Sequence, residues 1–328
     1  MSGLLILSDR DIRRALPLDR AIASQKQAYV AAATPGAAMG AGVAHAGTSA
    51  EQLVFALTGG IHGQTGVACK FGMQVPSNRL RGLPSVHAFV TLLDPESGVP
   101  LACLNGTTIT TMRTACGIAA AADLLAPPGS ARLAVIGSGV QAREAVRAIA
   151  AIRPLSLVRL WSRDPTNCRS AVAALASEVD TNFEIAPTAQ AAIADSDIVV
   201  TCTLSHDPVV RGEWVGKGAT VLTVGSYHPA GRETDLALTR WAARTFTDDV
   251  AKALGNGGAI LEAVSAGALA AGDLVAIGDV LQGRHPGRSS ADDILLFHSM
   301  GLGIQDAAAA WAAYQGALAA GIGTTVAF

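Results

Sequence analysis

Residues 131–143 read ARLAVIGSGVQAR, and this stretch decides the fold. Leu133, Ala134, Val135 and Ile136 form an unbroken apolar run, which predicts a strand covered on both faces. The run passes directly into Gly137-Ser138-Gly139 and then into a helix-forming segment from Val140 onward. Strand, glycine turn and helix start in that order make the phosphate-binding turn of a βαβ unit. Gly137 permits the tight turn, Gly139 lets a pyrophosphate approach the backbone, and the helix N-terminus presents free N–H groups. Ala142 stands where a third glycine is common, so the pattern is G-x-G-x-x-A. A second strand is predicted at 156–161 (SLVRLW), about 20 residues further on, where such a unit needs it.

The end of that second strand discriminates between cofactors. An acid there holds the ribose 2′-hydroxyl of NAD, whereas a small residue with a nearby cation suits the 2′-phosphate of NADP. The chain has Ser162-Arg163, followed by Asp164. This favours NADP, with NAD as the alternative through Asp164.

Outward from this unit the pattern continues as strand, then helix. Strands are predicted near 183–186, 197–203, 219–224 and 244–247, with helices at 140–151, 165–178 and 188–194. That alternation predicts an α/β fold with a doubly wound parallel sheet of the Rossmann type, whose ligands sit at the carboxyl ends of the strands. The region before it differs. Strands at 52–57, 66–74, 86–93 and 99–104 include a turn at Asp94-Pro95-Glu96-Ser97-Gly98, which predicts an antiparallel or mixed sheet. Ser8-Asp9 is set to cap a first helix, and a second helix is expected at 18–33, followed by a loose Gly/Ala stretch up to Thr48. Thr107-Thr108 is placed to cap a helix over 109–125, ended by Pro127-Pro128-Gly129. The domains are therefore expected to be 1–128, an α+β domain that also takes the C-terminal helix 302–328, and 129–301, the NAD(P)-binding domain.

Composition narrows the function class. A chain of 328 residues exceeds one ordinary core, and half of its residues are apolar. With 24 Lys and Arg against 26 Asp and Glu and no basic block, it does not suit nucleic acid or an anionic membrane as partner. A small-molecule metabolite is expected instead. Cys69, Cys103, Cys116, Cys168 and Cys202 are odd in number and lack a CxxC pair, so they read as reduced thiols in the cytoplasm. The apolar run near the N-terminus is too short for a signal peptide, and no long uncharged apolar span suggests a membrane helix. Seven scattered histidines show no metal-ligand spacing, so no metal is expected. Without GxSxG or a P-loop lysine, nucleophilic hydrolysis and phosphoryl transfer are disfavoured.

Four residues stand out as carriers of chemistry. Lys70 lies alone inside the apolar strand VACKFGM; it either faces the open side of a sheet or points into a site, and if buried it needs a carboxylate partner. Arg113, expected in the first turn of its helix, is opposed there by the helix dipole, and a bound anion such as a carboxylate accounts for it. Tyr227 and His228 follow the strand TVLTVGS and so lie where ligands of a parallel sheet bind.

Six stretches in order, CKFGMQVPSN, RGLPSVHAFVTLLDPESGVPLACLNGTTITTMRTACG, AVIGSGVQA, LWSRDP, GEWVGKGATVLTVGSYHPAGRETD and FHSMGLGIQDAAAA, resemble the ornithine cyclodeaminase/mu-crystallin family over nearly the whole chain. The resemblance implies that Lys70 and Arg113 hold the carboxylate of an amino-acid or cyclic imine substrate, with Arg113 beside the cofactor. It also implies that Ser85, Val140, Gln141, Ser162, Thr203, Val224, Gly225 with Ser226, and Ser299 line the NAD(P) site, and that the first domain forms a homodimer. Two departures bear on the reaction. No arginine occurs from Ala31 to Cys69, where family members carry another carboxylate-binding arginine. The cyclodeaminase G-G-D-x-P segment is here Gly225-Ser226-Tyr227-His228-Pro229, which is similar to the family's imine reductases and amino-acid dehydrogenases. The resemblance thus implies an NADPH-dependent reductase of a small cyclic ketimine carboxylate, giving an L-amino acid. A cyclodeaminase with tightly held NAD and a non-catalytic NADP-dependent binding protein are the alternatives.

Overall fold

The structure, a computed structural model, describes residues 3–34, 43–49 and 52–328, and the side chains of these except 43–46 and 79. Of the Gly/Ala stretch expected up to Thr48, residues 35–42 lie outside the described residues. The chain divides into two compact units, Met1–Arg113 with Leu302–Phe328, and Thr114–Gly301.

The first unit begins with β1 (Gly3–Leu7), α1 (Asp9–Ala15) and α2 (Leu18–Ala32). Ser8 caps α1 reciprocally: its Oγ accepts from the Asp11 amide, and the Asp11 carboxylate accepts from the Ser8 amide. Strands β2 (Val43–Ala46), β3 (Leu53–Gly59), β4 (Val67–Gln74), β5 (Val86–Leu93) and β6 (Pro100–Asn105) form an antiparallel series, and β1 adds to β6 in parallel. β4 alternates, with Ala68, Lys70 and Gly72 buried and Val67 and Phe71 exposed. One face is therefore covered while the other presents apolar side chains.

α3 (Gly106–Leu125) starts earlier than its sequence suggests. The cap is Asn105, whose Oδ1 accepts from the Thr108 amide at 3.0 Å. Thr107 and Thr108, the expected caps, are engaged elsewhere: Thr107 Oγ1 donates to the Val86 carbonyl and Thr108 Oγ1 to Asp9. This corrects the reading of Arg113. It lies about two turns inside the helix, beyond the reach of the terminal N–H groups, so the dipole argument for its anion does not hold. The boundary differs too, falling within α3 and not at Pro127-Pro128-Gly129. The end of α3 is bonded into the second unit, with the Ala122 carbonyl accepting from Arg153 and the Leu125 carbonyl from Thr220 and Arg288.

The second unit holds an eight-stranded sheet whose pairings are all parallel. Its strands are β7 (Arg132–Ile136), β8 (Leu157–Trp161), β9 (Asn182–Ile185), β10 (Ile198–Thr201), β11 (Thr220–Thr223), β12 (Arg244–Thr247), β13 (Leu274–Ala276) and β14 (Leu295–His298). The spatial order is β13-β12-β14-β11-β10-β7-β8-β9. Helices α4 (Val140–Ala150), α5 (Pro165–Leu175) and α6 (Ala189–Ile193) connect the first strands, and α7 (Leu236–Trp241), α8 (Val250–Asn256), α9 (Gly258–Ser265) and α10 (Ile277–Leu281) follow. β10, β11 and β14 are buried throughout, as a sheet covered on both faces requires. At the end of β14, burial pushes the His298 imidazole down to about 4, and its Nδ1 lies 2.9 Å from Thr223 Oγ1 on β11.

The chain then returns to the first unit as α11 (Gly303–Ala320) and β15 (Thr324–Ala327), which pairs antiparallel with β1. α11 packs on α1, α2 and strands β3 to β5. Its approach to α1 is close because Gly316 has no side chain: a Cβ there would lie 2.0 Å from the Ala15 carbonyl oxygen. Among the described residues no helix is long and apolar enough to cross a membrane, and no side-chain group suited to a metal ion occurs.

Gly316→Ala should cost about 1 to 3 kcal/mol, because backbone must move to admit the methyl group. Gly255→Ala, on α8 with nothing within 4 Å of the added carbon, should be neutral or stabilising. Urea denaturation midpoints of the two variants check this contrast.

Candidate active site

In the first unit, β4, α3 and α11 bring three charges together. Lys70 Nζ lies 2.8 Å from Asp306 Oδ2, and Arg113 Nε donates to Asp306 Oδ1 at 3.1 Å. All three are buried, with relative exposures of 2% for Lys70, 7% for Arg113 and 1% for Asp306. Lys70 Nζ also stands 5.7 Å from the centre of the Phe55 ring. Of the two placements its sequence left open, Lys70 takes the buried one, and the partner it requires is Asp306. The first turn of α11 is held by Gln305, whose Oε1 accepts from the Leu302 amide at 2.8 Å. Among the described residues Arg113 donates only through Nε, so its two terminal nitrogens retain their hydrogen-bonding capacity.

In the second unit, Gly137 sits at the end of β7 with φ of 124°, a conformation that glycine alone adopts readily, and its amide donates to the Trp161 carbonyl at 2.8 Å. Gly139 precedes α4 without a side-chain cap, and a Cβ placed on it would meet nothing within 4 Å. The N-terminus of α4, at Val140 and Gln141, thus has no side-chain cap and no side chain at Gly139 to cover it, which fits a dinucleotide pyrophosphate. At the end of β8, Ser162 is half-buried and Arg163 exposed. Asp164 is committed as the cap of α5, its Oδ1 accepting from the Thr166 amide at 2.8 Å.

Buried carboxylates fasten the remaining strand ends. Glu233 Oε1 accepts from the amide and hydroxyl of Thr203, each at 2.7 Å, and Oε2 from the Gly225 amide at 2.6 Å. Ser226 Oγ accepts from the Glu233 amide. Burial pushes the Glu233 carboxyl up, while these hydrogen bonds pull it down. Gly225 is pressed against Thr203 so closely that a Cβ would fall 1.6 Å from its carbonyl oxygen. Asp248, after β12, accepts from the Met300 and Gly301 amides at 2.9 Å and from Ser299 Oγ at 3.3 Å. Val224 donates to the Thr201 carbonyl.

Gly137, Gly139, Val140, Gln141, Ser162, Arg163, Thr203, Val224, Gly225, Ser226 and Ser299 thus all follow carboxyl ends of one parallel sheet. Ser85 lies in the first unit, before β5. Tyr227 and His228 follow β11. Tyr227 packs against the apolar cluster of Ala253, Ile260, Leu274 and Met300, and its ring lies 5.3 Å from that of His228. His228 is half-buried and stacked edge-on to His206 at 5.8 Å; burial, with a smaller contribution from His206, pushes its imidazole below the ordinary range. Asp306, Glu233 and Asp248 were not anticipated. Asp306 does have a signal, as the one acid in the otherwise uncharged, alanine-rich segment 303–320. Glu233 and Asp248 sit in ordinary loop sequence and have none.

A parallel dinucleotide-binding sheet in one unit and a buried cation–carboxylate cluster in the other define an NAD(P)-dependent oxidoreductase. The chain belongs to the ornithine cyclodeaminase/mu-crystallin family, whose model matches residues 31–321. It is 34% identical over 234 residues to the ketimine reductase mu-crystallin of Mus musculus, covering 71% of this chain and 70% of that one. Thermococcus litoralis Δ1-pyrroline-2-carboxylate reductase, solved with NADH and L-proline, superposes with a TM-score of 0.94 at 28% identity, covering 98% and 100% of the two chains. An archaeal alanine dehydrogenase dimer with bound NAD gives 0.91 at 30% identity, covering 99% of each.

Glu233→Gln replaces one acceptor with a donor facing a buried amide or hydroxyl, an arrangement that costs about 1 to 3 kcal/mol. The variant should melt several degrees lower and bind dinucleotide about ten-fold more weakly; thermal melts and fluorescence titration measure both.

Proposed function

We propose that the protein is an NADPH-dependent reductase of a small cyclic ketimine carboxylate, of the pyrroline-2-carboxylate kind, producing an L-amino acid. The observation that carries this reading is the buried Lys70–Asp306–Arg113 cluster, in which Arg113 keeps its terminal nitrogens available for a carboxylate. Arg113 would hold the substrate carboxylate through these nitrogens, and Lys70 would fix the polarity around it. When bound, the reduced nicotinamide supplies the hydride that the imine carbon accepts. The imine nitrogen takes one proton, and an imine that arrives protonated needs only to be positioned. His228 is the candidate donor otherwise, and Tyr227 the candidate for orienting it.

Several features support the cofactor assignment. Gly137, Gly139, Val140 and Gln141 suit the pyrophosphate, and Thr203, Val224, Gly225, Ser226 and Ser299 would line the nicotinamide half. Ser162 and Arg163 suit a 2′-phosphate, because Asp164, the alternative partner for a 2′-hydroxyl, is used as a helix cap. The relatives solved with NADH or NAD favour the second reading, in which the dinucleotide is NAD. Homodimerisation through the first unit is supported by the apolar open face of its sheet, where Val67, Phe71 and Phe89 are exposed and the two phenyl rings pack edge-on at 5.6 Å.

Against cyclodeamination stands the segment Gly225-Ser226-Tyr227-His228-Pro229. Removing protons from ornithine near neutrality calls for a carboxylate there, and a phenol with a reference pKa of about 10 is a poor substitute. The purified protein, assayed with NADPH and NADH against a panel of cyclic imine carboxylates and with L-ornithine, should oxidise NADPH with at least one imine and release no ammonia from ornithine. Arg163→Ala should lose most of the NADP preference, about 1.5 to 3 kcal/mol for one charge-assisted phosphate contact. NAD-dependent conversion of ornithine to proline would overturn the reading, and a clear NAD preference of the unaltered protein would overturn its cofactor half.

A further inference from the structure

Two neighbours settle the hydrogen bonds of Ser162 at the carboxyl end of β8. Its Oγ lies 2.7 Å from the Asp164 carbonyl oxygen. A carbonyl only accepts, so the single hydroxyl proton of Ser162 is committed there. The same Oγ lies 3.2 Å from Sγ of Cys168 on α5. With the hydroxyl proton spent, the thiol is the donor in that contact and Ser162 the acceptor. Cys168 is fully buried, so its thiol has no water to turn to instead. The Asp164 carbonyl also accepts from the Asn167 amide at 3.2 Å, which ties it to the first turn of α5. A hydroxyl oxygen has two lone pairs, of which Cys168 takes one. Towards a ligand, half-buried Ser162 therefore offers one acceptor and no donor.

We infer that Ser162 is a specificity-determining residue that accepts a hydrogen bond from a ribose hydroxyl, and that Cys168 is the positioning residue that holds it in this state. A 2′-phosphate above neutral pH carries only acceptor oxygens, and a second acceptor facing them gains nothing. Of the two residues proposed beside the 2′ position, the phosphate thus falls to Arg163, which is exposed and has no side-chain partner among the described residues. Ser162 leaves room for that phosphate through its small size and takes a hydroxyl of the same ribose, where the 3′-hydroxyl is present in both dinucleotides. The inference rests on the reading of the carboxyl end of β8 as the adenosine-ribose site. It does not depend on which dinucleotide is preferred or on the reaction.

The test is equilibrium titration of the full-length protein with NAD and with NADP at about pH 8, where a phosphate monoester is doubly ionised. Ser162→Ala should weaken NAD binding about three- to ten-fold, the equivalent of one neutral hydrogen bond, without lowering the ratio of NADP to NAD affinity. Cys168→Ala should weaken NAD binding about two- to five-fold, and combined with Ser162→Ala it should add no further loss, because it acts only through that hydroxyl. A merely structural role for Cys168 would give additive losses. Unchanged NAD affinity in Ser162→Ala, or a greater loss for NADP than for NAD, would overturn the role of Ser162. Unchanged affinity in Cys168→Ala, or additivity in the double variant, would overturn that of Cys168. A preference of the unaltered protein for NAD would refute the NADP assignment and leave this inference standing, whereas binding of neither dinucleotide would overturn both.

Discussion

The bridge made by Asp306 between Lys70 and Arg113 is the interaction on which the chemistry of the first unit depends. A lysine and an arginine buried side by side without a carboxylate would repel one another and leave two desolvated charges, at a cost of several kcal/mol each. One carboxylate on α11 resolves this by engaging β4 through Lys70 and α3 through Arg113. It also explains why the chain returns after the parallel sheet. α11 supplies both the apolar cover of the first sheet, through Ile304 and its alanines, and the counter-charge that its cations need.

The same device recurs in the second unit with backbone partners. Glu233 joins the loop after β10 to that after β11, and Asp248 joins the end of β12 to the segment after β14. Each carboxylate accepts several N–H or O–H donors at once, so neither is left as an uncompensated buried charge. Carboxyl ends of parallel strands are where this class of sheet binds its ligand, and loops there must be firm yet stripped of side-chain bulk. Gly225, packed against Thr203, shows how little space the arrangement leaves.

The sequence carried the second unit more clearly than the first. An apolar run ending in Gly137-Ser138-Gly139 has few alternatives to a strand and a phosphate turn, and the structure has both. β14 is not legible in the sequence because four residues, LLFH, carry no periodicity and follow a polar stretch. The start of α3 is ambiguous in the sequence because Asn105 competes with two threonines for the cap, and only the neighbouring β5 decides: Thr107 is drawn away to Val86. That shift of about one turn removed the sequence argument for Arg113, and an ion pair with a residue 193 positions away replaced it. Buried carboxylates were legible only where an acid interrupts an apolar helix, as Asp306 does. Glu233 and Asp248 acquire their burial from tertiary packing, which single residues in loops do not announce.

A structure of the protein with bound NADPH and a cyclic amino acid product such as L-proline tests the central claim most directly. The account predicts the product carboxylate within hydrogen-bond distance of the terminal nitrogens of Arg113, with Asp306 still bridging Lys70 and Arg113. A product carboxylate bound away from Arg113, or one that displaces Asp306 from both cations, would contradict it.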